Sequence, residues 1–118
     1  MTDFKGNSQL AFMIAAERFG QGADKLGALL LQGAVKTLGK LDIQPDTLLF
    51  LNSGVKLCCE GSPLLKDLAT YEKSGTRILC CGTCLDFYNL KESLVVGKMS
   101  NMLEILTVAT TADRLVRI

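Results

Sequence analysis

Arg77–Phe87 has the sequence RILCCGTCLDF, in which an unbroken apolar run passes through a glycine into a short helical segment. Apolar runs without polar alternation are typical of central parallel strands, which are buried on both faces. Two similar runs precede it, LAFMIA at residues 10–15 and TLLFL at residues 47–51. Because parallel strands need crossover helices between them, these runs predict an α/β domain.

The segments between the strands carry helix signals. Asp24 is expected to cap the first helix, and Ser62 followed by Pro63 is a typical start of the next. Asn101 and Glu104 have the spacing of a capping box in front of a helix over residues 102–111. The first helix is expected to bury one stripe of apolar residues at helical spacing, namely Leu26, Leu29, Leu30, Ala34, Leu38 and Leu41.

Two further strands complete the predicted sheet. Residues 94–96 are expected to form a short fourth strand, and residues 113–118, with the sequence DRLVRI, the last. The chain has no linker or internal repeat, so residues 1–118 are predicted to form a single domain, with residues 1–8 flexible. The predicted architecture is a three-layer α/β/α sandwich with about five mainly parallel strands.

Composition and charge exclude several classes of function. The chain has 118 residues and a net charge of +1, so no basic field draws in nucleic acid or anionic lipid. The absence of histidine excludes a Ser-His-Asp triad, a Cys-His pair and a histidine-ligated metal. The longest apolar runs are near six residues, far below the ~20 that a membrane span needs. Neither a nucleic-acid nor a membrane partner is therefore expected.

The five cysteines indicate a reducing compartment. An odd number cannot close a disulfide framework, and four of them form the adjacent pairs Cys58-Cys59 and Cys80-Cys81. The polar N-terminal segment is not followed by the apolar run of a signal peptide. We therefore expect a reduced, cytoplasmic protein.

Ligands of open parallel sheets bind beyond the carboxyl ends of the strands. The loops at that edge are rich in glycine, small hydroxyls, amides and thiols. The glycine-rich segment 20–25 lacks the third glycine of a dinucleotide-binding loop, and no Lys-Ser/Thr pair follows it, so no nucleotide is expected. The predicted substrate-binding residues are Asn52, Ser53, Gly54, Gly82, Thr83, Ser100 and Asn101.

Cys81 and Cys84 form a C-x-x-C pair at the predicted strand-to-helix turn, where helix amides lower thiol pKa values. We predict that both are catalytic. Burial and the nearby Asp86 are expected to raise the pKa of Cys84, which leaves Cys81 as the nucleophile and Cys84 as the resolving thiol. The alternative is that both cysteines simply fill the loop.

The remaining cysteines have weaker signals. Cys80 is expected in the core, whereas one of Cys58 and Cys59 is expected to face the core and the other the cleft, as an accessory thiol. A structural zinc site would need a second pair at C-x₂₋₄-C spacing, which the chain lacks. Neither a metal nor a cofactor is therefore predicted.

Several motifs, taken together and in order, resemble one known family. They are NSGVKL at residues 52–57, EGSP at 60–63, CGTCLD at 81–86 and SNM at 100–102. From about Gln9 onward the chain resembles the DsrE-like domain of the YedF-type proteins, within the DsrE/F family. YedF-type proteins are sulfurtransferase-like and associated with selenium metabolism, and the wider family relays sulfur as a cysteine persulfide.

The resemblance implies a five-stranded sheet in the order 4-3-2-1-5 and a homo-oligomer. In that order the loops after strands 2 and 3 are neighbours, which brings Asn52 and Cys58-Cys59 towards Cys81. The implied partners are sulfur donor and acceptor proteins, such as a TusA-like carrier. In this chain the TusA-type C-P-x-P site is missing, and AAERFG at residues 15–20 replaces the family's small hydroxyls and Asp.

Three functions stay open at this point. The first is a sulfur or selenium carrier that relays a persulfide on Cys81 or Cys84. The second is a non-catalytic DsrE-like scaffold subunit whose cysteines are inert. The third is a dithiol redox protein. The chain has no proline after Pro63 that could form a thioredoxin-type cis-proline loop, and this argues against the third function.

Overall fold

Five parallel strands form one sheet within residues 8–118, which are the residues that the computed structural model describes. Residues 1–7, most of the segment expected to be flexible, lie outside the described residues. The strand order is β4-β3-β2-β1-β5, which confirms the order that the resemblance implied. The strands are β1 (Leu10–Ile14), β2 (Thr47–Phe50), β3 (Arg77–Cys81), β4 (Lys98–Ser100) and β5 (Arg114–Arg117).

Helices cover both faces of the sheet. All four residues of β2 are buried, and consecutive strand residues point to opposite faces. Right-handed crossovers place the first two helices on one face, and the helix that returns the chain from β4 to the far edge at β5 on the other. The three-layer α/β class is therefore confirmed. The helices are α1 (Asp24–Thr37), α2 (Leu65–Lys73), α3 (Gly82–Phe87) and α4 (Met102–Thr111).

The buried face of α1 differs from the predicted stripe. Gly27, Leu31 and Val35 are buried, whereas Leu26 and Leu29 are 55% and 66% exposed. Both sets have helical spacing, so periodicity alone does not choose between them. On the buried side, Gly27 lets the helix lie directly against the stem of Arg18, where a Cβ would come within 2.9 Å.

The expected cap of α1 is also wrong. Ala23 is the N-cap, and Asp24 lies inside the first turn, where its carboxylate pairs with Arg18 at 2.8 Å. The start of α2 is later than expected as well, since Ser62 Oγ accepts a hydrogen bond from Leu64 N–H at 3.0 Å in a turn before the helix. By contrast, Asn101 caps α4 as predicted.

The fourth strand begins after the predicted segment. Gly97 adopts a φ of +79°, a left-handed conformation that interrupts extended backbone. Its N–H donates a hydrogen bond to Glu72 Oε2 at 3.0 Å. Strand β4 therefore starts at Lys98 and pairs with β3. Before this turn, Leu94 makes only a single antiparallel bridge with Cys59. Along residues 8–118, no helix has both the length and the apolar character needed to cross a bilayer.

Candidate active site

A cleft of about 580 Å³ lies where the carboxyl ends of β1, β2 and β5 meet the start of α3. This is the edge of an open parallel sheet at which ligands bind. Its wall is mostly apolar and contains one thiol and one cation. The lining residues are Met13, Ala15, Leu51, Asn52, Thr83, Cys84, Phe87, Tyr88 and Arg117.

Cys84 presents its thiol to this cleft from the third position of α3. Its Sγ accepts a hydrogen bond from the backbone N–H of Asn52 at 3.0 Å. Asn52 follows β2 and opens the 3₁₀ segment Asn52–Cys58 with a φ of +50°, so its amide is turned out of the strand direction. The bond joins the loops after β2 and β3, which are neighbours because those strands pair.

The side chain of Asn52 is held by Tyr88, a residue that was not predicted to belong to the site. Tyr88 OH donates to Asn52 Oδ1 at 3.0 Å, and Lys56 Nζ lies 4.5 Å from the centroid of the Tyr88 ring. Asn52 is thus fixed at its side chain while its N–H contacts the thiol. A sequence signal existed, since Tyr88 follows Cys84 by one helical turn and shares its face.

Gly54 shapes the site without lining it. A Cβ at this position would lie 2.4 Å from the carbonyl oxygen of Ile14, so the 3₁₀ segment rests directly on the end of β1. Gly54 therefore supports the cleft through a close backbone approach and does not have the predicted binding role. The left-handed conformation in this turn belongs to Asn52.

Burial is the main influence on the pKa of Cys84, which it raises above the ordinary thiol value. A hydrogen bond with the thiol of Cys81 raises this pKa further, whereas the Asn52 N–H lowers it. Asp86, which was expected to contribute, pairs instead with Lys91 at 3.7 Å. The Cys84 thiol is therefore mainly protonated at neutral pH.

Cys81 lies behind Cys84. As the last residue of β3 and the N-cap of α3, it is only 2% exposed and does not line the cleft. A ligand in the cleft meets Cys84 first. The roles expected from the sequence, with Cys81 as first nucleophile, do not fit this burial.

Cys58 and Cys59 are both in the core, so the expectation that one of them faces the cleft is wrong. Cys58 hydrogen-bonds with the thiol of Cys80, which raises the pKa of Cys58, as does burial. Cys59 Sγ donates to Val55 O at 3.3 Å, and burial raises the pKa of Cys59. The cause is the segment 94–96, which closes over this part of the chain through N–H bonds to Cys58 O.

Of the other predicted binding residues, some line the cleft and others stabilise neighbouring segments of the chain. Thr83 lines the cleft with Asn52 and Cys84, but Ser53 and Gly82 do not. Ser100 Oγ donates to Glu104 Oε1 at 2.5 Å, and Asn101 Oδ1 accepts from Glu104 N–H at 2.9 Å. Ser100 and Asn101 therefore stabilise the start of α4, which differs from the binding role expected of them. Across residues 8–118, no three His, Cys, Asp or Glu side chains form a potential metal site.

No protein-family model matches the chain, and no curated protein matches it in sequence. Solved structures do resemble it. The YchN protein from E. coli has a TM-score of 0.69 at 14% identity, covering 94% of this chain and 99% of its own. This chain and the YchN protein therefore share a fold. MTH1491 from Methanobacterium thermoautotrophicum, a protein of unknown function, has a TM-score of 0.65 at 20% identity, with the same two coverages. At these identities the likeness establishes the fold alone.

Proposed function

We propose that this DsrE/F-like protein is a sulfur carrier that holds a persulfide on Cys84. The observation that carries the proposal is the hydrogen bond from Asn52 N–H to Cys84 Sγ in an open cleft. A backbone N–H aimed at sulfur stabilises the thiolate, which is the form that attacks a persulfide. The resemblance of several motifs to those of YedF-type proteins supports sulfur, or alternatively selenium, as the cargo.

The transfer follows from ordinary thiol chemistry. The Cys84 thiolate attacks the sulfane sulfur of a donor persulfide, a new S–S bond forms at Sγ, and the donor departs as a thiolate. An acceptor thiolate then takes the sulfane sulfur in the same way and restores Cys84. In this proposal the acceptor is a cytoplasmic partner protein, such as a TusA-like carrier.

Cys81 has a separate place in this chemistry. Its thiol contacts that of Cys84, so its attack on Cys84 Sγ of the persulfide would form a Cys81–Cys84 disulfide and expel hydrosulfide. We propose that Cys81 discharges a persulfide that finds no acceptor. Replacing Cys81 should therefore make the loaded state last longer.

Intact-mass analysis after incubation with a cysteine desulfurase and cysteine tests the proposal. We expect wild-type protein to gain one sulfur atom at Cys84, Cys84→Ser to gain none, and Cys81→Ser to retain it longer. Cys59→Ser is the matched control, because a hydroxyl keeps the bond to Val55 O and lies away from the cleft. Equal loading of Cys84→Ser, mapped by peptide mass, would overturn the proposal.

A non-catalytic scaffold is the second candidate, favoured by the exposed apolar residues of α1 and α4, such as Leu29 and Leu103. In that case all five thiols react slowly in the native protein. A dithiol redox protein is the third, favoured by the Cys81–Cys84 contact. The chain has no proline after Pro63 to form a thioredoxin-type cis-proline loop, which counts against this function.

A further inference from the structure

Among residues 8–118, Arg117 is the one charged residue in the wall of the cleft. It is the last residue of the edge strand β5, where its register partner is Met13, which also lines the cleft. Within residues 8–118, the ion pairs at 4.0 Å or less involve the cations Arg18, Lys56, Arg77 and Lys91, so Arg117 has no carboxylate partner there.

An unneutralised guanidinium next to an apolar wall favours an anionic ligand. Its planar set of N–H donors matches a carboxylate, to which it binds through two parallel hydrogen bonds. The volume of about 580 Å³ is within the range of sites for small molecules, roughly 300–1,000 Å³. The apolar wall suits the uncharged part of such a molecule, and the one thiol in the wall is Cys84.

We infer that the cleft binds a low-molecular-weight persulfide that carries a carboxylate, with Arg117 holding the carboxylate while Cys84 receives the sulfane sulfur. This inference rests on the proposed carrier function and names its donor class. The Cys84 thiolate bonds to the sulfane sulfur, the S–S bond of the donor breaks, and its electron pair leaves on the donor thiolate, which takes up a proton from water. No net oxidation or reduction occurs.

Charged thiol reagents report on this electrostatic preference without any sulfur transfer. The probes are three methanethiosulfonates with methyl, 2-sulfonatoethyl and 2-(trimethylammonio)ethyl groups, which are neutral, anionic and cationic. In water, a fixed unit charge about 6 Å from the charge of a reagent changes the rate of the reagent's reaction by about threefold. At low salt we expect Cys84 to react about tenfold faster with the anionic than with the cationic reagent.

Arg117→Gln should abolish that preference, so that the anionic and the cationic reagent react with Cys84 at equal rates. Arg114→Gln is the matched control, because it removes the same charge from the same strand at the end that pairs with Leu10, away from the cleft. Equal rates for the anionic and cationic reagents in wild-type protein overturn the donor class only. A Cys84 that does not react even with the neutral reagent overturns the carrier function itself.

Two donors that differ only in the carboxylate complete the test. We expect cysteine persulfide to load Cys84 with a KM about tenfold lower than cysteamine persulfide, and Arg117→Gln to remove the difference. If the persulfide of a carrier protein loads Cys84 faster than cysteine persulfide and is indifferent to Arg117→Gln, the cleft serves a protein donor and the inference is wrong.

Discussion

At the scale of single residues, the site depends on one backbone amide. Asn52 N–H reaches Cys84 Sγ only while Asn52 keeps its left-handed conformation, which the hydroxyl of Tyr88 supports by donating to Oδ1. The C-x-x-C pair could be selected from the sequence because its spacing is local. Tyr88 was missed because its role depends on a partner that lies 36 residues away.

Tyr88→Phe should lower the reactivity of Cys84 by about fivefold, the equivalent of one hydrogen bond of about 1 kcal/mol. The physical reason is looser placement of the Asn52 amide, so the pKa of Cys84 should also rise. The measurement is the rate of alkylation by iodoacetamide as a function of pH.

Tyr71→Phe is the control for a purely structural tyrosine. Its hydroxyl donates to Val35 O and accepts from Gly39 N–H, far from the cleft. This variant should lower the melting temperature and leave the pH profile of Cys84 unchanged. A Tyr88→Phe profile that coincides with wild type would contradict a positioning role.

The raised thiol pKa values also predict how stability depends on pH. Burial is the first cause for Cys84 and Cys59, and both lose their protons less readily in the folded chain than in the unfolded chain. The folded state therefore binds more protons above the unfolded thiol pKa of about 8.5, so stability falls as pH rises from there. Urea unfolding midpoints that stay constant from neutral pH to well above that value would contradict the prediction.

At the scale of the elements, apolar runs predicted β1, β2 and β3, because strands buried on both faces need no polar alternation. The buried face of α1 was not predictable in the same way, since two apolar stripes of this helix have the same helical spacing. Strand β4 was displaced because Gly97 turns left-handed after Val96 is buried.

Gly54→Val should destabilise the fold by about 3 kcal/mol or more, the upper range for overpacking. The new Cβ would meet Ile14 O at 2.4 Å, and a backbone oxygen cannot move aside without shifting β1. Gly33→Ala is the control, since no atom lies within 4 Å of its Cβ in α1, and it should stabilise by about 0.5–1 kcal/mol. Thermal unfolding measures both, and equal melting temperatures for Gly54→Val and wild type would refute the close approach.

At the scale of the whole molecule, the strand order assembles the site. Because β1 lies between β2 and β5, the end of β5 brings Arg117 to the cleft formed around Cys84. The spacing of the strands along the sequence does not determine this order. The order was predicted from the family resemblance. The binding role proposed for Arg117 could therefore not be predicted from the local sequence, because it depends on the position of β5 in the sheet.

The outer surface of the molecule predicts a homo-oligomer. Leu29 and Leu30 of α1 line an apolar groove together with Phe19, and none of its lining residues within residues 8–118 is charged. A continuous apolar patch of this kind on a 118-residue chain is typical of a protein interface. We therefore expect light scattering at micromolar concentration to give a mass of more than one chain.

Leu29→Glu should reduce that mass to one chain, because it places a carboxylate on the side of α1 opposite its buried face. Thr70→Glu adds the same charge to the exposed side of α2 and should leave the mass unchanged. Leu103→Glu tests whether the interface is on α4 and not on α1, since Leu103 of α4 is 79% exposed. Dissociation by Leu103→Glu alone would move the interface to α4, whereas a wild-type mass of one chain would refute the oligomer. Since Leu29 lies outside the cleft, the rate at which Cys84 reacts with the neutral methanethiosulfonate should be the same in the dissociated variant.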